Sequence, residues 1–177
     1  MSFDRIEYSG LTFTDEEIVD GEVFRTVSLL YDALEIGTFS VELYLTPDVG
    51  AVLTDFSRNA KLLYYHRDQL WGTYYVERVT RTGKYTYEIA ANDALSLLDQ
   101  SSHMGGIYTG QTVAEVVAEI CNIPYLIQSK LSDIKLYGWL PIAARRSNLA
   151  QVLFAVGAVA KVDQNGVLRL EALWNGA

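Results

Sequence analysis

The sequence predicts an α+β protein in two parts: an antiparallel β-barrel over residues 1–92, then a small α+β domain over residues 93–177. Three observations carry this. Residues 70–79 (LWGTYYVERV) and 85–91 (YTYEIAA), joined by a turn at Thr80-Arg81-Thr82-Gly83-Lys84, read as a hairpin. Tyr, Val, Ile and Thr dominate both arms, and these residues fit a pleated, half-buried surface. Upstream, further short apolar runs interrupted by Gly bends have the spacing of a barrel or sandwich. At Asn92 the texture changes to helical stripes with caps.

The returning arm of the hairpin alternates, with Tyr85, Tyr87, Ile89 and Ala91 on one face and Thr86 and Glu88 on the other. The outgoing arm is apolar on both faces: Tyr74 and Val76 on one, Trp71, Tyr75 and Val79 on the other. A strand apolar on both faces needs cover on both. One face fills the domain's own core, and Trp71, Tyr75 and Val79 are the candidate subunit interface. The rival reading has the C-terminal domain of the same chain covering that face.

In chain order, an edge strand and a loop are expected over residues 2–21, with Asp15, Glu16, Glu17 and Asp20 forming a solvated acidic turn. Strands are expected over 22–31 and 33–45, the second bent at Gly37. A turn at 46–50, a short strand at 52–57 and another at 60–66 complete the first part. In the second part, Asn92 or Asp93 caps a short helix over 94–98, and a Gly-containing loop runs over 101–111. Thr112-Val113-Ala114-Glu115 is a capping box, followed by the apolar stripe Val113, Val116, Val117 and Ile120 and stopped by Pro124. Strands follow at 125–128 and 134–139. Ser147 or Asn148 caps a helix over 149–156, making about two main helices in this part. A hairpin closes the chain, turning at Gln164-Asn165-Gly166.

The chain has 177 residues, half of them hydrophobic and 20% charged, which places it among globular proteins. No apolar run approaches 18 residues, so no membrane span is expected. The first residues lack a basic region followed by an apolar one, so no signal peptide is read. Cys121 is the single cysteine and is expected as a small buried hydrophobe. The net charge of −8 disfavours nucleic acid as a stable ligand. The short basic clusters, Arg78/Arg81/Lys84 and Arg145-Arg146, read as solvated turns.

Residues 105–112 (GGIYTGQT) resemble a phosphate-binding loop, but Gln111 stands where Lys must reach the phosphates, so a connection ending in an N-cap is preferred. The two histidines, His66 and His103, have no neighbours at metal-ligand spacing. No nucleophile–base–orienter set is legible, and an enzyme is not expected. No catalytic residue, cofactor or metal ligand is assigned. Trp71 and Trp139 read as core residues in preference to sugar-stacking ones.

Residues 34–43 (LEIGTFSVEL), 72–79 (GTYYVERV) and 87–99 (YEIAANDALSLLD) resemble the N-terminal part of phage tail hub proteins. These include the late control D proteins, which are central baseplate hubs of contractile tails, and tail proteins of Gram-positive prophages. The family runs a barrel strand into an A-x-D-x-x-x-L-L element, then a loop, a helix and a Gly-Trp-Leu-Pro-like segment. Here Gly138-Trp139-Leu140-Pro141 and then residues 150–155 (AQVLFA) hold those places. The resemblance covers residues 34–173. It implies a structural protein of the virion tail, made in the bacterial host cytoplasm and trimeric on the tail axis. That protein joins tail tube to spike or fibre and contacts other tail and baseplate proteins. Family hubs are usually longer, so this chain reads as an N-terminal fragment or a shortened relative. The alternatives are a carbohydrate-binding host-recognition module, served by Tyr64-Tyr65 and Tyr74-Tyr75, and a non-catalytic part of a cell-wall hydrolase.

Overall fold

Residues 4–25, 34–55 and 57–174 are described by the structure, a computed structural model. The chain divides into two compact units, the first holding residues 1–25, 37–93 and 164–166, and the second the remainder.

In the first unit the chain opens with β1 (Asp4–Tyr8) and β2 (Leu11–Thr14), joined by Ser9 and Gly10 at φ 50° and 80°. Two positive-φ residues give a turn whose twist matches the flanking strands. Then come β3 (Ile18–Phe24), β4 (Thr38–Tyr44), the helix α1 (Pro47–Thr54), β5 (Lys61–His66), β6 (Gln69–Arg81) and β7 (Thr86–Asn92). All seven strands form one antiparallel sheet in the order β2-β1-β5-β6-β7-β4-β3.

The sheet curls tightly. Strands β4 and β5 stand three places apart, on the order of 14 Å in a flat sheet. Their Phe39 and Tyr64 rings nevertheless lie 5.4 Å apart. One core results, shared by Ile6, Phe13, Val41, Leu43, Leu62, Val76 and Ile89 from strands across the whole sheet, with Leu53 of α1 closing it. Among the described residues the sheet is not closed, so the barrel expected from the sequence is corrected to an open, curled sheet. The acidic turn explains the gap. It carries the chain from β2 at one edge to β3 at the other, and the Glu17 carboxylate takes the Thr14 amide at 2.8 Å. Beyond that turn β3 pairs with β4, not with β2.

A second correction concerns residues 46–57, read as a turn and a strand. Residues 47–54 form α1, with Thr46 at the N-cap, Pro47 in the first turn and Asp48 beside it. These are helix-start residues, and Pro at the first helical position lacks only a donor that would go unused there. Gly50 is needed on this helix because a Cβ would meet the Tyr87 ring at 2.0 Å. Of the strands read over 22–31 and 33–45, residues 26–33 lie outside the described residues. Gly37 precedes β4 and exchanges hydrogen bonds with Asp93, its amide to Oδ2 and its carbonyl from the Asp93 amide, both at 2.8 Å.

The second unit begins with a 3₁₀ helix (Ala94–Gln100), then β8 (Ser102–His103), β9 (Gly106–Thr112), α2 (Val113–Ile120), β10 (Tyr125–Ile127) and α3 (Ser129–Ser132). It continues with β11 (Lys135–Leu140), β12 (Ala143–Ala144), α4 (Arg145–Val156), β13 (Ala158–Val162) and β14 (Leu168–Ala172). The capping box of α2 forms as read, with the Glu115 amide donating to Thr112 Oγ1 and the Glu115 carboxylate accepting from the Thr112 amide. The stripe Val113, Val116, Val117 and Ile120 is fully buried. Strands β10, β14 and β13 make a small sheet, β10 running parallel to β14. The chain is thus a mixed α+β protein.

The segment read as a loop over 101–111 is mostly strand. Residues 106–112 build β9, so the phosphate-loop pattern describes an extended ribbon and not a cradle. The cap of α4 is also corrected. Ala144 holds the N-cap position, and Asn148 lies inside the helix, fully buried.

Candidate interaction surface

The three interface residues read from the sequence do not share a fate. Strand β6 has two bulges. Trp71 is the extra residue against β5, where Gly72 faces Tyr64 and Leu70 faces Tyr65. Glu77 is the extra residue against β7, where Val76 faces Ala91 and Arg78 faces Ala90. Each bulge shifts the alternation by one. After Glu77, Val79 stands opposite Ile89 and packs on the core, so its placement with Trp71 and Tyr75 is corrected. Trp71 is 45% exposed, with the Arg25 guanidinium 5.5 Å over its ring and the His66 ring 5.6 Å away. Tyr75 is half-buried. Its neighbour Thr73 is buried and donates to the Gln164 carbonyl at 2.8 Å, within the same unit.

A larger apolar surface lies in the second unit. Strands β9 and β11 pair antiparallel, with Ile107 opposite Trp139, Tyr108 opposite Gly138 and Thr109 opposite Tyr137. Strands β8 and β12 pair with His103 opposite Ala143. The pairing offset is the same in both ladders, so they are one ribbon interrupted at Gly105 and Pro141. Pro141 has no amide to donate. Gly105 has φ +71°, and a Cβ there would meet the Leu140 carbonyl oxygen at 2.4 Å. The interruption reverses the side-chain alternation. Tyr108 and His103 are both buried, and Met104, Ile107, Tyr137, Trp139 and Ile142 are all exposed. Trp139, read as a core residue, is instead 68% exposed, and Ile107 opposite it is 78% exposed.

The buried side of the ribbon is firmly anchored. Tyr108 donates to Glu119 of α2 at 3.2 Å. Asn148 of α4 sets its amide nitrogen 2.8 Å from His103 Nδ1 and donates to the Pro141 carbonyl at 2.9 Å. That contact makes Nδ1 the acceptor and leaves the proton of the neutral imidazole on Nε2. Burial holds the His103 pKa below its ordinary value, against a smaller upward pull from Glu119. Beside the ribbon, Tyr108, Val116, Leu136, Trp139, Gln151 and Val152 help line a shallow cleft of about 220 Å³.

The other residues singled out by sequence serve packing. Arg145 donates to the Glu119 and Ile120 carbonyls at 2.8 and 2.7 Å, satisfying the end of α2. Arg146 pairs with Asp99 at 2.7 Å and donates to the Leu34 carbonyl. Arg81 closes its own turn on the Gly83 and Lys84 carbonyls. His66 Nδ1 meets Asp4 at 2.7 Å. Burial raises the Cys121 thiol to about 12, so it is not a nucleophile at neutral pH. Among the described residues no group of three or more His, Cys, Asp or Glu could hold a metal, and no helix is long and apolar enough to cross a membrane.

The β11 arm was read as the strand over 134–139, but its partner β9 was missed because Gly105, Gly106 and Gly110 read as loop residues. The signal that could have found it is the matched texture of residues 104–109 and 137–142, apolar side chains beside glycines on both arms.

No protein-family model matches the chain, and no curated protein matches it. Solved structures do. The 43 kDa tail protein of prophage MuSo2 from Shewanella oneidensis superposes with a TM-score of 0.66 at 15% identity, over 98% of this chain and 56% of that one. A tail protein from Neisseria meningitidis gives 0.66 at 10% identity, over 96% and 50%. An Escherichia coli component of the type VI secretion system, described as structurally similar to bacteriophage T4 tail proteins, gives 0.55 at 12% identity, over 93% and 48%. The chain spans about half the length of these proteins and has the fold of phage and prophage tail proteins.

Proposed function

We propose that the chain is a structural component of a phage or prophage tail, part of the hub that joins tail tube to spike or fibre. The observation that carries this reading is the match to tail proteins over nearly the whole chain. The hub assignment rests further on the sequence resemblance to late control D-like proteins. In this reading the chain works as one of several copies, three around the tail axis, with other tail and baseplate proteins above and below. Its role is mechanical and not catalytic, and its −8 charge keeps it from holding DNA. Trp71 and Tyr75 belong to this proposal as a contact of the first unit.

Deleting the gene in its phage or lysogen tests the reading. Tails that stop at the baseplate stage in electron micrographs, with the chain present in purified wild-type tails in a multiple of three, are the expected result. Complete, infectious tails without the chain would overturn it.

A further inference from the structure

We propose that the bare face of the interrupted ribbon is where this chain packs against a second copy of itself. This inference rests on the reading of the chain as a multi-copy subunit and names the contact surface.

Met104, Ile107, Tyr137, Trp139 and Ile142 are each 68% to 78% exposed. A buried Tyr or Trp hides roughly 150–250 Å², and a buried Met or Ile about 100 Å² of apolar surface. At this exposure the five side chains offer on the order of 500 Å². A standard interface takes about 800 Å² from each partner, about 56–65% of it apolar, or about 450–520 Å². The ribbon therefore presents the apolar share of one full interface, well beyond a scattered surface residue.

The chemistry points to a copy of the same chain. Residues 104–110 and 137–142 contain no charged side chain, in a protein with a net charge of −8. A different partner would ordinarily be selected by complementary charge; the five exposed side chains carry none, and Lys135 at the end of the ribbon is held on the Gly110 carbonyl at 3.2 Å. Aromatic and Met side chains with charge depleted are the composition of interface cores, and interfaces between identical subunits are the more apolar class, about 65% non-polar. The face is also rigid, because Tyr108 and His103 anchor its other side to α2 and α4. A preformed surface loses little side-chain and backbone freedom on docking. About a threefold axis, each ribbon would meet those of two neighbours.

Sedimentation equilibrium of the chain and of Trp139→Asp tests this, with Val19→Lys, on exposed β3, as the control. The expected result is self-association of the unmodified chain and of the control. The dissociation constant should rise at least about 30-fold in Trp139→Asp, as for a hot-spot residue. If Trp139→Asp fails to fold, cysteine cross-linking decides: Ile107→Cys should form intermolecular cross-links and Val19→Cys should not. An oligomer indifferent to Trp139→Asp would overturn the ribbon assignment and leave the multi-copy reading standing. A chain that stays monomeric at high concentration without an Ile107→Cys cross-link would also overturn it. The count of copies in purified tails tests the tail reading independently.

Discussion

The β6–β7 hairpin and the β9–β11 ribbon are made of the same materials and end in opposite states. Both are antiparallel pairs with several Tyr and a Trp, an Ile and Gly among them. In the hairpin, Tyr74, Val76, Tyr87 and Ile89 are buried; in the ribbon, Ile107, Tyr137 and Trp139 stand in solvent. The difference is the number of partners. Seven strands curl far enough to cover their own apolar face, and α1 closes what is left. Two strands cannot enclose anything. The ribbon covers one face with helices and leaves the other bare. Strand chemistry alone therefore does not say whether an apolar residue is core or surface.

The largest effects should come from breaking the enclosed half of this comparison. Leu43→Ala removes a fully buried side chain from the curled sheet. It should cost about 2–5 kcal/mol in denaturant unfolding, with the spread set by how far the cavity collapses. Ile107→Ala, on the ribbon, should cost at most about 1 kcal/mol in the isolated chain, the value of a cross-strand pair with Trp139. Measured at a concentration where the chain is monomeric, equal losses at the two sites would mean that the ribbon face is covered by the chain itself.

A smaller effect sharpens how the ribbon is held. Thr112 ends β9 and caps α2. Thr112→Ala should lower stability by about 1 kcal/mol. It should also raise amide exchange at the start of α2 while leaving the curled sheet unchanged. Faster exchange throughout the first unit would contradict this separation.

The subtlest test concerns the anchor under the ribbon. His103 has its pKa lowered by burial, so on acidification the unfolded chain takes up the proton first. Its contribution to stability is full above pH about 6.5 and is lost as the pH falls from there toward the folded value. The pH dependence of unfolding should therefore be shallower in His103→Gln between pH 7 and the carboxylate range. Identical slopes in the two proteins would show that His103 titrates as it does in the unfolded chain.

Local patterns were legible wherever neighbours in the chain supplied the physics. The hairpin, the capping box at Thr112 and Glu115, the stripe of α2 and the Asn165-Gly166 turn all rest on contacts a few residues apart. Helix α1 was equally local, but Thr46-Pro47-Asp48 has the residues of a turn as well as of a helix start, and Val49, Val52 and Leu53 fit a short strand too. What tells them apart is packing far along the chain: Leu53 is buried in the core of the curled sheet, and Gly50 lies against the Tyr87 ring of β7. Asn148 had the residue type of an N-cap, and the buried His103 and the Pro141 carbonyl drew it inside.

From its residues alone, then, this chain was committed to a strand-rich first part, a helix-bearing second part and an acidic surface, because alternation, caps and charge act over a turn or two of chain. The face of each β6 residue, the open edge between β2 and β3, and the exposure of Trp139 were decided only in three dimensions. A single bulge moves Val79 from the outer face to the core, and the reversal at Gly105 brings Met104 and Ile107 to one side. Both depend on which strand lies opposite, and that pairing joins residues far apart in the chain.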